Sequence, residues 1–426
     1  MSGQTIEHRF TRYQIFLIAL TSLLQFTVVL DFMVMAPLGA ILMRVLTITP
    51  SQFGVAVSAY AFSAGISGIL AAGFADRFDR KNMLLFFYGG FTFATLLCGI
   101  APTYEILVLA RIVTGMFAGV IGAIGMAIIA DLFPIHVRGK VMGFSQMAFA
   151  ASQVLGIPIG IYLANVFDWH APFLMIVGLC LIIGIAVVFG MKPVREHLKI
   201  ESGRSAFQHL WLTLKQRPYQ RAFAATTLLS VGGFMMLPFS TAFMVHNMGV
   251  AEATLPMVFI VTGIVNMLSG PFIGRISDAI GKYKLFVYGS VWTAIVVVVL
   301  THMGLIPLWL VMVLNALMFL GVMSRMIPSM ALVSGMPDLH DRGAFMSINS
   351  SIQQMAGGVA SVVGGLIVAQ SATGQIINYD ILGYVTIGAI ILCAVQMSFV
   401  NKYVTNKIYF VTPIGVPVPA ADPVGH

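Results

Sequence analysis

Charged residues are scarce in this sequence. Asp, Glu, Lys and Arg together make up 9% of the 426 residues, whereas a soluble domain carries about 25%. Hydrophobic residues make up 59%, and a chain of this composition cannot fold as one soluble core. With roughly 20 apolar residues per membrane-spanning helix, the length is sufficient for about ten to fourteen spans joined by short loops. The composition therefore predicts a polytopic membrane protein.

Signatures of metal, nucleotide and disulfide chemistry are also missing. The three cysteines, Cys98, Cys180 and Cys393, lie inside apolar runs and form neither a disulfide framework nor a metal set. The sequence contains no H-E-x-x-H zinc motif and no G-x-x-x-x-G-K-S/T phosphate loop. Lys and Arg in cytoplasmic loops explain the net charge of +8 better than nucleic-acid binding does. We therefore expect no enzyme activity, no cofactor, no metal and no nucleic-acid partner.

Twelve apolar runs are arranged in two sets of six. This division predicts an N-terminal six-helix half (residues 1–191), a cytoplasmic central loop (192–218), a C-terminal half (219–403) and a disordered cytoplasmic tail (404–426). The first run is too long for the apolar region of a signal peptide and is interpreted as an uncleaved helix. The runs lie near 13–42, 53–75, 83–101, 104–132, 141–166, 171–191, 219–246, 252–276, 285–303, 307–335, 343–369 and 379–403.

Basic residues predict the orientation of the chain in the membrane. If the N-terminus is cytoplasmic, every Lys and Arg except Arg44, Arg111 and Arg325 lies in a cytoplasmic segment or at a cytoplasmic helix end. The positive-inside rule favours this orientation, which requires an even number of spans and places both termini in the cytoplasm. We expect a monomer in the lipid bilayer of the inner membrane.

The two sets of six runs look like copies of one unit. Three landmarks recur at nearly the same offset, which chance matches explain poorly. In secondary transporters, such halves rock around a binding site near the middle of the membrane. The landmarks are Pro37 with Pro238, Asp76 with Asp278, and Arg138-Gly139 with Arg342-Gly343, at offsets of 201, 202 and 204 residues.

A short charged loop carries the clearest motif. Residues 70–85 read LAAGFADRFDRKNMLL, and the second copy reads GRISDAIGKYK. Both resemble the G-x-x-x-D-R-x-G-R-K loop of the major facilitator superfamily. Ala72 stands at the first Gly of that pattern and Asp79 at the turn Gly. The alternative, a merely solvated basic loop, does not explain an Asp at the same place in both copies.

The resemblance covers essentially the whole chain and implies a fold and a gate. The fold would be that of an all-α membrane protein with 12 transmembrane helices in two six-helix pseudo-symmetric halves. Asp76 would face the N-terminus of the eleventh helix, where the helix dipole favours a carboxylate, and Arg77 would pair with Asp131. The implied cytoplasmic gate comprises Asp76, Arg77, Arg80, Lys81, Asp131 and Asp278.

Asp31 and Arg111 are the candidates for proton coupling. Asp31 lies near the middle of the first span, where a carboxylate is expensive and is expected to face a cavity and act. Burial disfavours its charged form and a nearby cation favours it, so such a group can carry a proton. Arg111 opens a segment that resembles the R-x-x-x-G sequence of proton-linked family members, and it would tune Asp31. The alternatives are a permanent structural pair for Asp31 and an Arg111 that snorkels to the surface.

The second half offers fewer candidates. The repeat offset maps Asp31 to Gly232 and Arg111 to Asn315, so the acid–base pair is expected only in the N-terminal half. Arg325 is a lone charge that would contact an anionic substrate group or a helix C-terminus, or belong to an inner gate, or snorkel. Some polar residues of the second-half spans should line the substrate cavity, and the candidates are Asn266, Asn315, Gln353 and Gln354.

These features favour a proton-coupled exporter of small hydrophobic or amphipathic compounds that works by alternating access. QVLGIPIGIYL, residues 153–163, resembles the glycine- and proline-rich fifth-helix motif of the family's exporters, although Ile157 separates Gly156 from Pro158. The alternatives are a proton-linked importer and an exporter of a sugar or metabolite. A membrane-embedded enzyme and a channel are less consistent with the sequence.

Overall fold

The computed structural model describes residues 10–74, 78–133, 141, 144, 151–195, 206–338 and 341–411, and these are almost entirely helical. A π-helical turn, Ser152–Gly156, precedes α6, and the strands β1 (Ala369–Gln370) and β2 (Ile376–Ile377) form a small antiparallel hairpin. The helices are α1 Arg12–Val34, α2 Gly39–Val45, α3 Pro50–Phe74, α4 Arg80–Cys98, α5 Tyr104–Leu132, α6 Ile157–Val166, α7 Ala171–Gly190, α8 Ala206–Lys215, α9 Arg217–Phe234, α10 Ser240–His246, α11 Leu255–Ile280, α12 Lys282–Thr301, α13 Leu308–Ser334, α14 Arg342–Ile367 and α15 Tyr379–Val411.

Ten helical segments of the described chain are long and apolar enough to cross a membrane. They correspond to all the predicted runs except the fifth and the eleventh. The eleventh run is α14, a 26-residue helix that carries several amides and serines and is therefore more polar than the others. Of the fifth run, the described part is Val141, Phe144 and residues 151–166. The predicted all-α fold is confirmed, and the count of twelve spans stays a prediction.

Two predicted runs are each broken near their C-terminal ends by proline. The first run forms α1 and α2, with a turn at residues 35–38 that contains Pro37. The seventh forms α9 and α10, joined through the 3₁₀ turn Leu237–Phe239 that contains Pro238. Proline lacks the N–H that a continuous helix needs and its ring conflicts with the preceding turn. The two breaks occupy equivalent positions in the proposed repeat.

The boundaries of the polar segments differ from those predicted. The central loop, residues 192–218, contains the helix α8, and α9 begins at Arg217. The last helix continues to Val411, beyond the predicted end at residue 403, because the chain has no proline after α15 begins until Pro413. Residues 412–426, on which the predicted disorder mainly falls, lie outside the described residues.

Small residues allow the two sets of helices to approach closely. The main contacts between the sets are α3 with α14 and α6 with α11. A Cβ atom on Gly54 would lie 2.6 Å from the Ser361 carbonyl oxygen, and one on Gly365 would lie 2.8 Å from the Pro50 carbonyl oxygen. Glycine therefore brings the backbones of α3 and α14 into direct contact.

Candidate functional site

A fully buried ion pair lies in the N-terminal set of helices. Arg111 on α5 donates from Nη1 to the Asp31 Oδ2 atom on α1, over 2.6 Å. Both residues have 0% exposure. The structure thus brings the two predicted coupling residues together. Because Arg111 is completely buried, the alternative in which it snorkels to the surface is wrong.

Neighbouring helices complete the environment of this pair. The Thr95 hydroxyl on α4 donates to Asp31 Oδ1 at 3.4 Å. The ring of Tyr60 on α3 lies 4.4 Å from the Arg111 guanidinium carbon, a distance typical of a cation–π contact. Sequence reasoning missed Thr95 and Tyr60. Each is a polar residue inside an apolar span, which is visible in the sequence. The partner that each one contacts depends on how the helices are rotated against one another, which is not visible in the sequence.

The pair leaves one edge of Arg111 unused. Its Nε and Nη2 atoms are buried and have no hydrogen-bond partner among the described residues. Removing one member of a buried ion pair typically costs about 3–5 kcal/mol, because the other charge is left without compensation. A change in the charge of Asp31 would therefore have a large effect on the stability of this arrangement.

The fifth-helix motif packs against α1 beside the carboxylate. A Cβ atom on Gly156 would overlap the Leu30 side chain, which is adjacent to Asp31 in sequence. Pro158 has no N–H, and Ile157 instead bonds to the carbonyl of Ser152 and closes the π-helical turn. Gly156 and Pro158 thus place an irregular helix segment against Leu30, the residue that precedes Asp31 in the sequence.

A second charged cluster joins the ends of α4, α5 and α7. Arg80 donates from Nε to Asp131 Oδ2 over 3.0 Å, and Lys81 donates from Nζ to the Val188 carbonyl over 2.8 Å. Asp79 caps α4 by accepting from the Lys81 N–H, and its Oδ2 accepts from Arg195 Nε at 2.6 Å. The cluster thus contains three residues of the predicted cytoplasmic gate, Arg80, Lys81 and Asp131.

The Asp79 carboxyl group is held in its charged form. Partial burial by itself would raise its pKa, but the hydrogen bonds from Arg195 and from the N–H groups of Lys81 and Val194 lower the pKa overall. Asp79 occupies the position of the turn glycine in the family loop. Here it acts as a helix cap and an ion-pair partner.

Not all predicted gate residues meet in this cluster. Asp76 and Arg77 lie outside the described residues, so the pairing of Arg77 with Asp131 stays a prediction, and the described partner of Asp131 is Arg80. Asp278, near the end of α11, is exposed. Within the described chain Asp278 forms no ion pair, and it does not join the cluster.

The polar candidates of the second set of helices separate into two groups. Asn315 on α13 donates from Nδ2 to the Thr262 hydroxyl on α11 over 2.7 Å, and Asn266 lies one helical turn further along α11; all three are buried. Gln353 and Gln354 on α14 are partly exposed and have no hydrogen bond to another described residue. The glutamines are therefore the group that remains available to a ligand.

Arg325 lies inside α13, and its side chain is also buried. Its exposure is 1%, so the alternative in which it snorkels is wrong. The Phe286 ring of α12 is 5.8 Å from its guanidinium carbon.

Polar contacts also join the two sets of helices at the ends near the proline breaks. The Thr241 hydroxyl on α10 donates to the Ala36 carbonyl over 2.9 Å. Arg44 on α2 donates to Glu252 Oε1 over 2.8 Å, and Asn165 on α6 donates to the Glu252 carbonyl over 3.0 Å. Sequence reasoning did not identify these residues, because nothing in either half indicates which loop of the other half it meets. The two sets of helices are therefore in direct contact at this end of the molecule.

A narrow cleft runs between α1, α4 and α5. It is lined by Thr21, Leu24, Gln25, Leu84, Ile121, Gly122, Gly125, Met126 and Ile129. Gln25 precedes Asp31 by six residues, which corresponds to about 9 Å along a helix. The cleft therefore lies nearer the start of α1 than the ion pair does, on the side away from Pro37.

Comparison with known proteins matches one family model and several proteins that are named as transporters. The family model described as "Major Facilitator Superfamily" matches residues 21–244 and 222–408. The chain is 29% identical over 267 residues to the uncharacterized MFS-type transporter YceJ of Bacillus subtilis, covering 62% of this chain and 67% of YceJ. It is 25% identical over 299 residues to Multidrug resistance protein 2 of the same organism, covering 68% of this chain and 73% of the relative.

The matches to other relatives are shorter, while the fold matches over nearly the full length. Two further curated relatives are aligned over only 56% and 60% of their own length. The crystal structure of a D-xylose-proton symporter superposes with a TM-score of 0.71 at 17% identity, covering 89% of this chain and 97% of that structure. This likeness supports the fold alone.

Proposed function

Because the chain belongs to the Major Facilitator Superfamily, and is thus a multi-pass membrane transporter of small molecules and not an enzyme, we propose that it exports small hydrophobic or amphipathic compounds in exchange for protons. Its twelve helices would form two halves in the inner membrane, with both termini in the cytoplasm. The residue pair that couples the two fluxes would be Asp31 and Arg111.

The observation that carries this proposal is the fully buried Asp31–Arg111 pair. A carboxylate inside a membrane-spanning helix is retained when it has a function, and the only ion-pair partner of Asp31 among the described residues is a cation that does not lose its proton. Protonation of Asp31 would break the charge balance of the pair and leave the Arg111 charge uncompensated. Loss of the proton would restore the pair. The protonation state would thereby select between two packings of α1 against α5.

The energy available to such a cycle is sufficient for export. One proton that moves inward through 100 mV releases roughly 2.3 kcal/mol. At about 1.4 kcal/mol for each factor of ten, this energy supports a substrate gradient on the order of 50-fold.

The contacts between the two sets of helices would act as a gate, and the charged cluster at the other end would brace the N-terminal set. In the proposed orientation, the Thr241–Ala36 and Arg44–Glu252 contacts lie on the outer side and would break when the protein opens outward. The cluster around Arg80 and Asp131 lies on the cytoplasmic side. It would hold the inner ends of α4 and α5 together while the two halves move.

The proposed substrate class rests on the methionine content of the chain and on the name of one relative. The chain contains 27 methionines, and flexible, polarisable methionine side chains adapt to ligands of different shape. The name of Multidrug resistance protein 2, a relative with 25% identity, points in the same direction. Asn266, Asn315, Gln353 and Gln354 would supply polar contacts from the other half. A proton-linked importer, or an exporter of a sugar or metabolite, remains the alternative.

Reconstitution into proteoliposomes tests the coupling. A growth screen of an overexpressing strain against toxic amphipathic compounds would first identify a substrate. Addition of that substrate to proteoliposomes that contain a pH-sensitive dye should then change the lumenal pH. Asp31→Asn should abolish the change, whereas Asp168→Asn, in an exposed loop, should leave it intact. Substrate flux that is insensitive to a proton ionophore would refute the proposal, and uptake driven by an inward proton gradient would support the importer.

A further inference from the structure

Arg325 is a second buried guanidinium in the bundle, but it has no acidic partner. It is as inaccessible to solvent as Arg111, with 1% exposure. Arg111 pairs with Asp31, whereas no carboxylate of the described residues lies within ion-pair distance of Arg325. An uncompensated buried cation is unfavourable, so this position gains stability when an anion arrives.

The missing carboxylate has an identifiable place in the fold. Gly232 on α9 precedes Pro238 by six residues, as Asp31 precedes Pro37. A Cβ atom on Gly232 would lie 3.6 Å from Arg325 Nη2 and 3.9 Å from Nη1. The second half therefore repeats the arrangement of the first, with its arginine supplied by Arg325 rather than by the sequence-aligned Asn315, and with glycine in place of the acid.

The free atoms of Arg325 have the geometry that binds a planar anion. Its Nε and Nη2 atoms are buried and have no hydrogen-bond partner in the described chain. These two atoms form the edge of the guanidinium that donates two parallel hydrogen bonds to a carboxylate.

The part of α9 next to Arg325 carries two successive glycines. At Gly232 the nearest described atom to a built Cβ is Ile390 Cγ1, at 3.4 Å, and at Gly233 no described atom lies within 4 Å. The two glycines leave this part of α9 without side chains. The surroundings of the anion would be the side chains of Ile390 and Phe286, together with the Cys393 thiol that interacts with Arg325.

We propose that Arg325 and the bare surface of α9 at Gly232 and Gly233 bind the carboxylate, or another planar oxyanion, of an amphipathic substrate. This inference rests on the proposed export function for the role of the ligand as substrate, and it narrows the substrate class to amphipathic anions. The bound anion would occupy in the second half the place that the Asp31 carboxylate occupies in the first.

Equilibrium binding tests the site without any ion gradient. The protein in nanodiscs would be titrated at one pH with radiolabelled decanoate, with decanamide as the neutral analogue and acetate as the small anion. Wild type should bind decanoate more tightly than decanamide, and acetate should displace decanoate only weakly if the ligand is an amphiphile rather than a free small anion. Displacement by acetate as effective as by decanoate would overturn the assignment to an amphipathic substrate.

Position 232 provides a matched pair of variants. Gly232→Asp places a carboxylate beside Arg325 and should weaken decanoate binding by at least about 10-fold, the equivalent of one charge-assisted hydrogen bond. Its decanamide binding should weaken much less than its decanoate binding. Gly232→Ala adds only the methyl group and should retain the preference for decanoate. Equal decanoate affinities in the two variants would overturn the proposal.

A second variant covers the case in which Gly232→Asp does not fold. Arg325→Gln keeps the side-chain size approximately and removes the charge, so it should also lose the preference for decanoate over decanamide. Retention of that preference would overturn the proposal. Because no proton gradient is present, the result is independent of Asp31→Asn transport data, and a failure of proton coupling is distinguishable from a failure of the anion site.

Discussion

The ion pair of Asp31 and Arg111 predicts a large energetic coupling between two distant positions of the sequence. In a double-mutant cycle with Asp31→Asn and Arg111→Met, each single change leaves a buried polar group without its partner. We expect each to reduce the free energy of unfolding by about 3–5 kcal/mol. The double variant should lose much less than the sum, since it leaves neither charge behind. The coupling energy should therefore exceed about 2 kcal/mol.

The measurement is the free energy of unfolding in mixed micelles of fixed composition at pH 7. Arg44→Gln and Glu252→Gln provide a control cycle, because that pair has a similar distance but an Arg44 side chain that is 60% exposed. Exposed pairs are worth about 0.2–1 kcal/mol. If the cycle for Asp31 and Arg111 gives a coupling energy no larger than the control, the pair is not the dry, tightly coupled site described above.

Three further predictions concern packing and the charged cluster. Gly119→Ala should destabilise the protein, because its Cβ atom would overlap the Ala64 carbonyl of α3. Gly122→Ala on the same helix meets no described atom within 4 Å and should be neutral or stabilising by about 0.5–1 kcal/mol; melting temperatures of the two variants compare them. Gly156→Val should reduce transport more than Gly178→Ala, which has open space, since the larger side chain would push Leu30 and Asp31; initial rates of substrate efflux check this. Asp79→Asn should lower the melting temperature by a constant amount between about pH 5 and pH 8. The pKa of the Asp79 carboxyl is lowered, so its stabilising effect is complete above the unfolded-state pKa of about 4 and is lost only as the pH falls below that value. A difference in melting temperature that grows or shrinks across that range would contradict the assignment.

Hydropathy was sufficient to predict the architecture, and the reason is physical. In lipid every backbone polar group must be satisfied within its own segment, so long apolar runs become helices whatever their neighbours are. The same logic identified Asp31 and Arg111, because a charge in such a run needs a partner, and here each is the only described ion-pair partner of the other.

The sequence could not predict contacts that depend on helix rotation. Arg80 rather than Arg77 is the described partner of Asp131, and these two arginines are close enough in sequence for either to be chosen. The place of Arg325 beside Gly232 was hidden for a related reason. The repeat offset aligns Arg111 with Asn315, which is ten residues away from Arg325 on the same helix, so the offset did not point to Arg325.

The glycine contact between α3 and α14 has a consequence for motion. Side chains that interlock must separate before one helix can tilt against another, and that separation creates a barrier. Gly54 and Gly365 instead place backbone against backbone, so fewer side chains would have to separate if one helix tilted against the other. In the proposed transport cycle, a bulky residue at either position would slow the exchange between inward-open and outward-open states, even if the protein still folded and bound its substrate.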